Sequence, residues 1–114
     1  MEPVTQQKPL GARVTVTPGV CGFPCVIESL NEEKRSVSLS IQGSDCKHIQ
    51  RLSELLTSLS LRDIFTPVTK NPVFEAAQRA GCHASCPVPL AALKAAEVAM
   101  EMALPRDVTI QFDR

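Results

Sequence analysis

Residues 36–46 read Ser-Val-Ser-Leu-Ser-Ile-Gln-Gly-Ser-Asp-Cys. Val37, Leu39 and Ile41 alternate with serines, the period-two pattern of a strand with one buried face. Gly43 ends that run. Ser44 is the expected N-cap of a helix, with Asp45 in its first turn, where a carboxylate complements the positive end of the helix dipole. Past this point the period changes: Ile49, Leu52, Leu55, Leu56 and Leu59 recur at spacings of one helix face. A strand, a stop and a helix start thus follow one another closely, and Cys46 sits at the junction.

Toward the N-terminus the same period-two reading gives two more strands. In residues 12–17, Val14 and Val16 alternate with Arg13, Thr15 and Thr17. Pro18-Gly19 breaks the run, and Cys21-Gly22-Phe23-Pro24-Cys25 reads as a loop. Residues 25–30 resume as a strand, and the polar residues 31–34 fit a hairpin turn, with Glu32, Glu33, Lys34 and Arg35 solvated. Three short strands with short connections predict an antiparallel sheet. Residues 1–11 are expected to be a loose tail, and residues 12–114 a single domain.

Toward the C-terminus, a short helical piece near residues 61–65 is expected to end before Pro67. Asn71-Pro72 is a second helix start, an N-cap followed by proline at the first helical position. Val73, Ala76, Ala77 and Ala80 form its apolar side, and Gly81 is its stop. After a loop over residues 82–86, Pro87 opens a long helix reaching about Ala103. Its polar residues are only Lys94, Glu97 and Glu101, so this helix is either the core of the domain or the face of a homodimer or another partner. Val108, Ile110 and Phe112 then alternate with polar residues and predict a last strand at a sheet edge. The order βββαααβ, with strands and helices in blocks, reads as α+β with the helices on one sheet face.

The chain has 114 residues, no net charge, no Trp or Tyr and four Phe. That composition gives nothing to attract nucleic acid and no stacking platform for bases. No apolar run is long enough to span a bilayer. The first dozen residues carry no apolar core of a signal peptide. The expectation is a cytoplasmic protein that binds neither nucleic acid nor membrane.

The cysteines carry the chemistry. Five in this length is an odd number, which argues against a closed disulfide framework and, in a reducing compartment, for metal or redox chemistry. Cys21 and Cys25 flank the first strand connection, Cys46 follows the third strand, and Cys82 and Cys86 bracket the loop before the long helix. In an antiparallel sheet, the exits of strands one and three lie at the same end, so distant segments converge there. Cys46 and Cys86 stand at helix starts, where free N–H groups favour a thiolate, the form that binds zinc or an iron–sulfur cluster. Cys21, Cys25, Cys46, Cys82 and Cys86 are therefore the candidate ligands, and His83 or His48, near Cys86 and Cys46, is a candidate fourth ligand. The spacings are C-x-x-x-C, weaker signals than a zinc-ribbon pair. A second reading makes Cys86 a redox or persulfide-carrying thiol with Cys82 as its resolving partner. A third makes the chain a non-catalytic interaction module. No catalytic triad, paired carboxylates or phosphate-binding loop is evident, so an enzyme is the less favoured expectation.

Cys21-Gly22, Gly43-Ser44-Asp45-Cys46 and Ser85-Cys86 resemble the three cysteine positions of the IscU/NifU-type iron–sulfur scaffold family, over residues 12–103. Residues 86–100, with the alanine-rich run at 92–96, resemble that family's last helix. Phe23 stands where the family has an aspartate. The resemblance implies an IscU-like fold, a cluster held by Cys21, Cys46 and Cys86, and a cysteine desulfurase or a cluster acceptor as partner. The words Cys-Gly-Phe, Ser-Asp-Cys, Cys-Pro-Val-Pro and Ala-Leu-Pro also resemble a family of small uncharacterised prokaryotic proteins, many from anaerobes, which implies no activity.

Overall fold

The computed structural model describes residues 11–32 and 35–113. The predicted α+β class holds. Strands β1 (Gly11–Val16), β2 (Cys25–Glu32), β3 (Ser36–Gln42) and β4 (Ser58–Ser60) form one antiparallel sheet in sequence order. Val14 pairs with Ile27, Ile27 with Ile41, and Val37 with Leu59. The alternation set by the pleat puts Val16, Cys25, Ile27, Val37, Leu39, Ile41 and Leu59 in the core. Residues 1–10, where most of the expected tail falls, lie outside the described residues, and Gly11 already belongs to β1. Asn31 and Glu32 extend β2 rather than forming the turn; residues 33 and 34 of that expected turn are likewise outside the described residues.

Helices α1 (Lys47–Leu55), α2 (Leu61–Ile64), α3 (Pro72–Ala80) and α4 (Pro87–Ala99) cover the inward face. Helix α4 lies on β1 and β2, and α1 lies between β3 and α3. The long helix is the core helix: Val88, Ala92, Ala95, Ala96 and Ala99 are fully buried. Its alanines let the helix approach the sheet closely, where larger side chains would force it away. Asn31 donates from Nδ2 to the Ala99 carbonyl at 2.9 Å. Helix α4 therefore starts at the Val16–Cys25 end of the sheet and finishes beside Asn31 at the other.

Three expectations are corrected. Leu59 is not helical: α1 stops at Leu55, and Leu59 points inward from β4, which pairs with β3. Ser60 ends that strand by capping α2. Its hydroxyl accepts from the Asp63 N–H at 3.2 Å while Asp63 accepts from the Ser60 N–H at 2.8 Å, a reciprocal box that fixes a helix start just after Leu59. Second, Cys46, not Ser44, caps α1, and Asp45 precedes the helix. The Ser44 hydroxyl instead takes the Cys46 N–H at 3.0 Å. Third, α4 ends at Ala99, and the expected strand at Val108–Ile110–Phe112 pairs with nothing in this chain's sheet. The Met102 N–H reaches back to the Glu97 carbonyl at 2.8 Å with Glu101 left-handed at φ 62°. That closure turns the chain off the helix axis before it can follow the sheet.

The α3 start matches its expectation. Buried Asn71 accepts from the Val73 N–H at 2.9 Å, and its Nδ2 donates to the carbonyls of Asp63 at 2.9 Å and Thr66 at 3.0 Å. One side chain caps α3 and ties it to α2. Asn71→Ala removes the cap and leaves two carbonyls short of a donor, so an expected loss is about 2–4 kcal/mol. Urea unfolding should show the midpoint falling with an unchanged slope.

Candidate functional site

The connection from β1 to β2 carries Cys21 at its tip. The Gly22 N–H donates to the Gly19 carbonyl at 2.9 Å, and both glycines are left-handed, at φ 88° and 70°. A side chain at either position would be strained, so the glycines set the turn that leaves Cys21 exposed. Four residues on, Cys25 opens β2 opposite Val16 and is 3% exposed. It is a core residue as well as a member of the cluster.

Cys46 caps α1 where β3 ends. The Gln50 N–H bonds the Cys46 carbonyl at 2.9 Å, and Gln50 Nε2 donates to the Ser44 carbonyl at 2.9 Å, so the loop is held from both sides. Gly81 takes the left-handed conformation after α3, and the Cys82 N–H reaches back to the Ala77 carbonyl at 2.9 Å. A turn follows, closed by the Cys86 N–H on the His83 carbonyl at 3.0 Å, and Cys86 caps α4 with Pro87 at the first helical position. Cys46, Cys82 and Cys86 are half-buried against the core.

These pieces meet at one end of the sheet. Val16 and Cys25 are paired there, as are Val26 and Gln42, and α1 and α4 both begin there. The thiols feel one another. Burial pushes the Cys25 thiol up, and the neighbouring Cys86 and Cys46 add to the push. Burial likewise raises Cys82 to about 11, again with Cys86 and Cys46 contributing. Cys86 is raised by burial and by Cys21 and Cys46; the Val88 amide works the other way, though its contact with the sulfur falls short of a capping hydrogen bond. Cys25, Cys82 and Cys86 are thus held protonated first by burial and then by the cysteines around them.

The histidines sit to one side. His48 Nδ1 lies 3.2 Å from the Ala80 carbonyl, and its ring centre is 5.9 Å from that of His83. Both are exposed. Among the described residues, no three or more His, Cys, Asp or Glu side chains are grouped so as to hold a metal ion as they stand. The donor chemistry suits a soft cation or an iron–sulfur cluster, but the thiols do not close on one point in this conformation. Two shallow surface concavities are lined without the cysteines, one beside Val98, Met102 and Leu104 and the other beside Arg35, Leu61 and Phe65. No helix among the described residues is long and apolar enough to cross a membrane.

The sequence points to Cys21, Cys46 and Cys86 and leaves the direction of Cys25 and Cys82 open. The signal for Cys25 was its parity with Ile27 on β2, which points it inward and toward the cluster.

The fold and site define a small α+β domain with a cysteine-rich end. The chain belongs to a family of unknown function, DUF6951, whose model matches residues 12–112. No curated protein and no solved structure matches it.

Proposed function

We propose that this domain binds a metal through cysteine thiolates, as an iron–sulfur cluster scaffold or carrier or as a zinc protein. The observation that carries the reading is the placement of the five cysteines, from separate segments, at one end of the sheet, where Cys46 and Cys86 add to the rise of the Cys25 and Cys82 thiols. Thiolates that repel one another are costly alone and are stabilised by a shared cation. Cys21, Cys46 and Cys86 form the core of the donor set, and Cys82, Cys25 or His83 supplies the fourth ligand. The exposed turn of Cys21 is the part best able to move onto the half-buried Cys46 and Cys86.

The cysteine placement after β1, after β3 and before α4 supports an IscU-like architecture, with β4 and the unpaired C-terminal segment as additions. Under that reading, the protein works in the cytoplasm and its partners are a cysteine desulfurase or a cluster acceptor. The redox alternative needs a thiol of low pKa at Cys86 with Cys82 resolving, and both thiols are raised instead.

The test is metal and acid-labile sulfide analysis, with a visible spectrum, on full-length protein purified without oxygen. Iron with sulfide is the expected result for a cluster protein, and zinc alone would narrow the site to a single ion. Folded protein that stays colourless and metal-free after reconstitution would overturn the proposal.

A further inference from the structure

Beyond the cysteine end, a run of exposed apolar side chains follows α4. Val108, Ile110 and Phe112 are 56%, 78% and 84% exposed. They alternate with Thr109, Gln111 and Asp113, the pattern of a strand with one face to bury, yet the segment pairs with no strand of its own sheet. The molecule measures 52 Å along its longest axis against 32 and 25 Å across.

Among the described residues, the sheet offers a matching edge. There β1 is an end strand bonded only to β2, and its inward residues Ala12 and Val14 are half-buried, whereas Ile27 beside them on β2 is fully buried. An end strand of six residues is a ready template for another strand. The opposite end strand, β4, has three residues and runs straight into α2, so it offers far less.

We infer that residues 107–113 of one chain add as a strand to the β1 edge of a second copy, and that the exchange is reciprocal. The pattern of the two segments names the occupant. In antiparallel register, Phe112 faces Ala12, Ile110 faces Val14 and Val108 faces Val16, so the largest side chain lies over the smallest. Thr109 then faces Thr15, and Asp113 lies diagonal to Arg13, whose other neighbour Glu28 is 3.3 Å away. Opposite charges alternate across the three strands and no like charges meet. A chain's own β1 is the poorer partner. Helix α4 ends beside Asn31, next to the Leu30–Gly11 pair, so a segment returning from there would run parallel to β1, the weaker pairing. The left-handed Glu101 and the Met102–Glu97 bond direct it away instead. Strand exchange of this kind closes a two-fold dimer. Both the edge from Ala12 onward and the segment as far as Phe112 fall within the family match, residues 12–112.

Sedimentation velocity on the full chain over a wide concentration range, with hydrogen exchange on the same samples, tests this. The expected result is a species of twice the chain mass, with the amides of residues 108–112 and of β1 protected in the dimer. Ile110→Asp places a charge on a side chain that the isolated fold leaves exposed. It should return the protein to a monomer with an unchanged circular dichroism spectrum in the helical region. A wild-type monomer at every concentration, or a dimer indifferent to Ile110→Asp, would overturn the inference. So would a monomer whose residues 108–112 are already protected, because that places the segment on its own sheet.

Discussion

Serine in place of Cys46 or Cys86 is expected to cut metal loading by at least about a hundredfold in affinity, since removing even a group that merely orients a ligand costs about tenfold to a hundredfold. Both residues cap a helix at the crowded end of the sheet, and each contributes to raising the other thiols. Serine keeps the shape but loses the soft donor. Cys21→Ser should give the same loss with no effect on the fold, because Cys21 is exposed in a turn held by backbone geometry. Cys25→Ser separates the two roles of that residue. It places a hydroxyl in the core, at an expected cost of about 1–3 kcal/mol. It should lower metal affinity only if Cys25 is the fourth ligand. Metal content by elemental analysis, beside thermal melts of the metal-free proteins, gives both readings. Wild-type loading in all three of the Cys21, Cys46 and Cys86 variants would remove the basis for a thiolate metal site.

Much of this arrangement is legible in the sequence because it rests on local rules. The serine alternation of residues 36–42 fixes β3 whatever surrounds it, and Asn71-Pro72 with Gly81 delimits α3 to the residue. The placement of Cys21 and Cys46 at one end follows from the strand order, whereas that of Cys86 depends on α4 packing along β1 and β2. What the sequence conceals depends on pairing. Leu59 stands three residues after Leu56, a spacing as good for a helix as for the three-residue β4, and only its pairing with Val37 decides between them. The alternation at Val108, Ile110 and Phe112 reads as a strand, yet among the described residues the segment pairs with no strand of the sheet. For the site, Cys25 and Cys82 share the same local wording, yet one is a core residue of β2 and the other a half-buried loop residue. That difference comes from the sheet and from the turn after α3, neither of which is written in the spacing.

The second large effect is on pH, and it has opposite signs with and without metal. Three of the thiols are raised by burial first and by their neighbours second, Cys82 to about 11. At neutral pH they hold protons, and a cation must displace them. Each displaced proton makes the apparent affinity rise about tenfold per pH unit below the pKa of that thiol, so Cys86 alone gives about tenfold per unit and Cys86 with Cys82 or Cys25 as fourth ligand about a hundredfold. Cobalt(II) titrated against a competing chelator between about pH 6 and pH 8 reads that slope directly. The metal-free protein should go the other way. Its folded thiols have pKa values above those of the unfolded chain, so the folded state holds more protons as pH rises past about 9. Their contribution to stability is complete below that value and is lost as pH climbs through the folded value of about 11 for Cys82. Alkaline pH therefore weakens the empty protein while strengthening its hold on the metal, and each cation bound to the folded state adds to stability by mass action. Urea midpoints measured with and without cobalt should diverge as pH rises. A cobalt affinity that is flat with pH would mean that the thiols are not the ligands, because no thiol raised in this way can bind a metal without first giving up its proton.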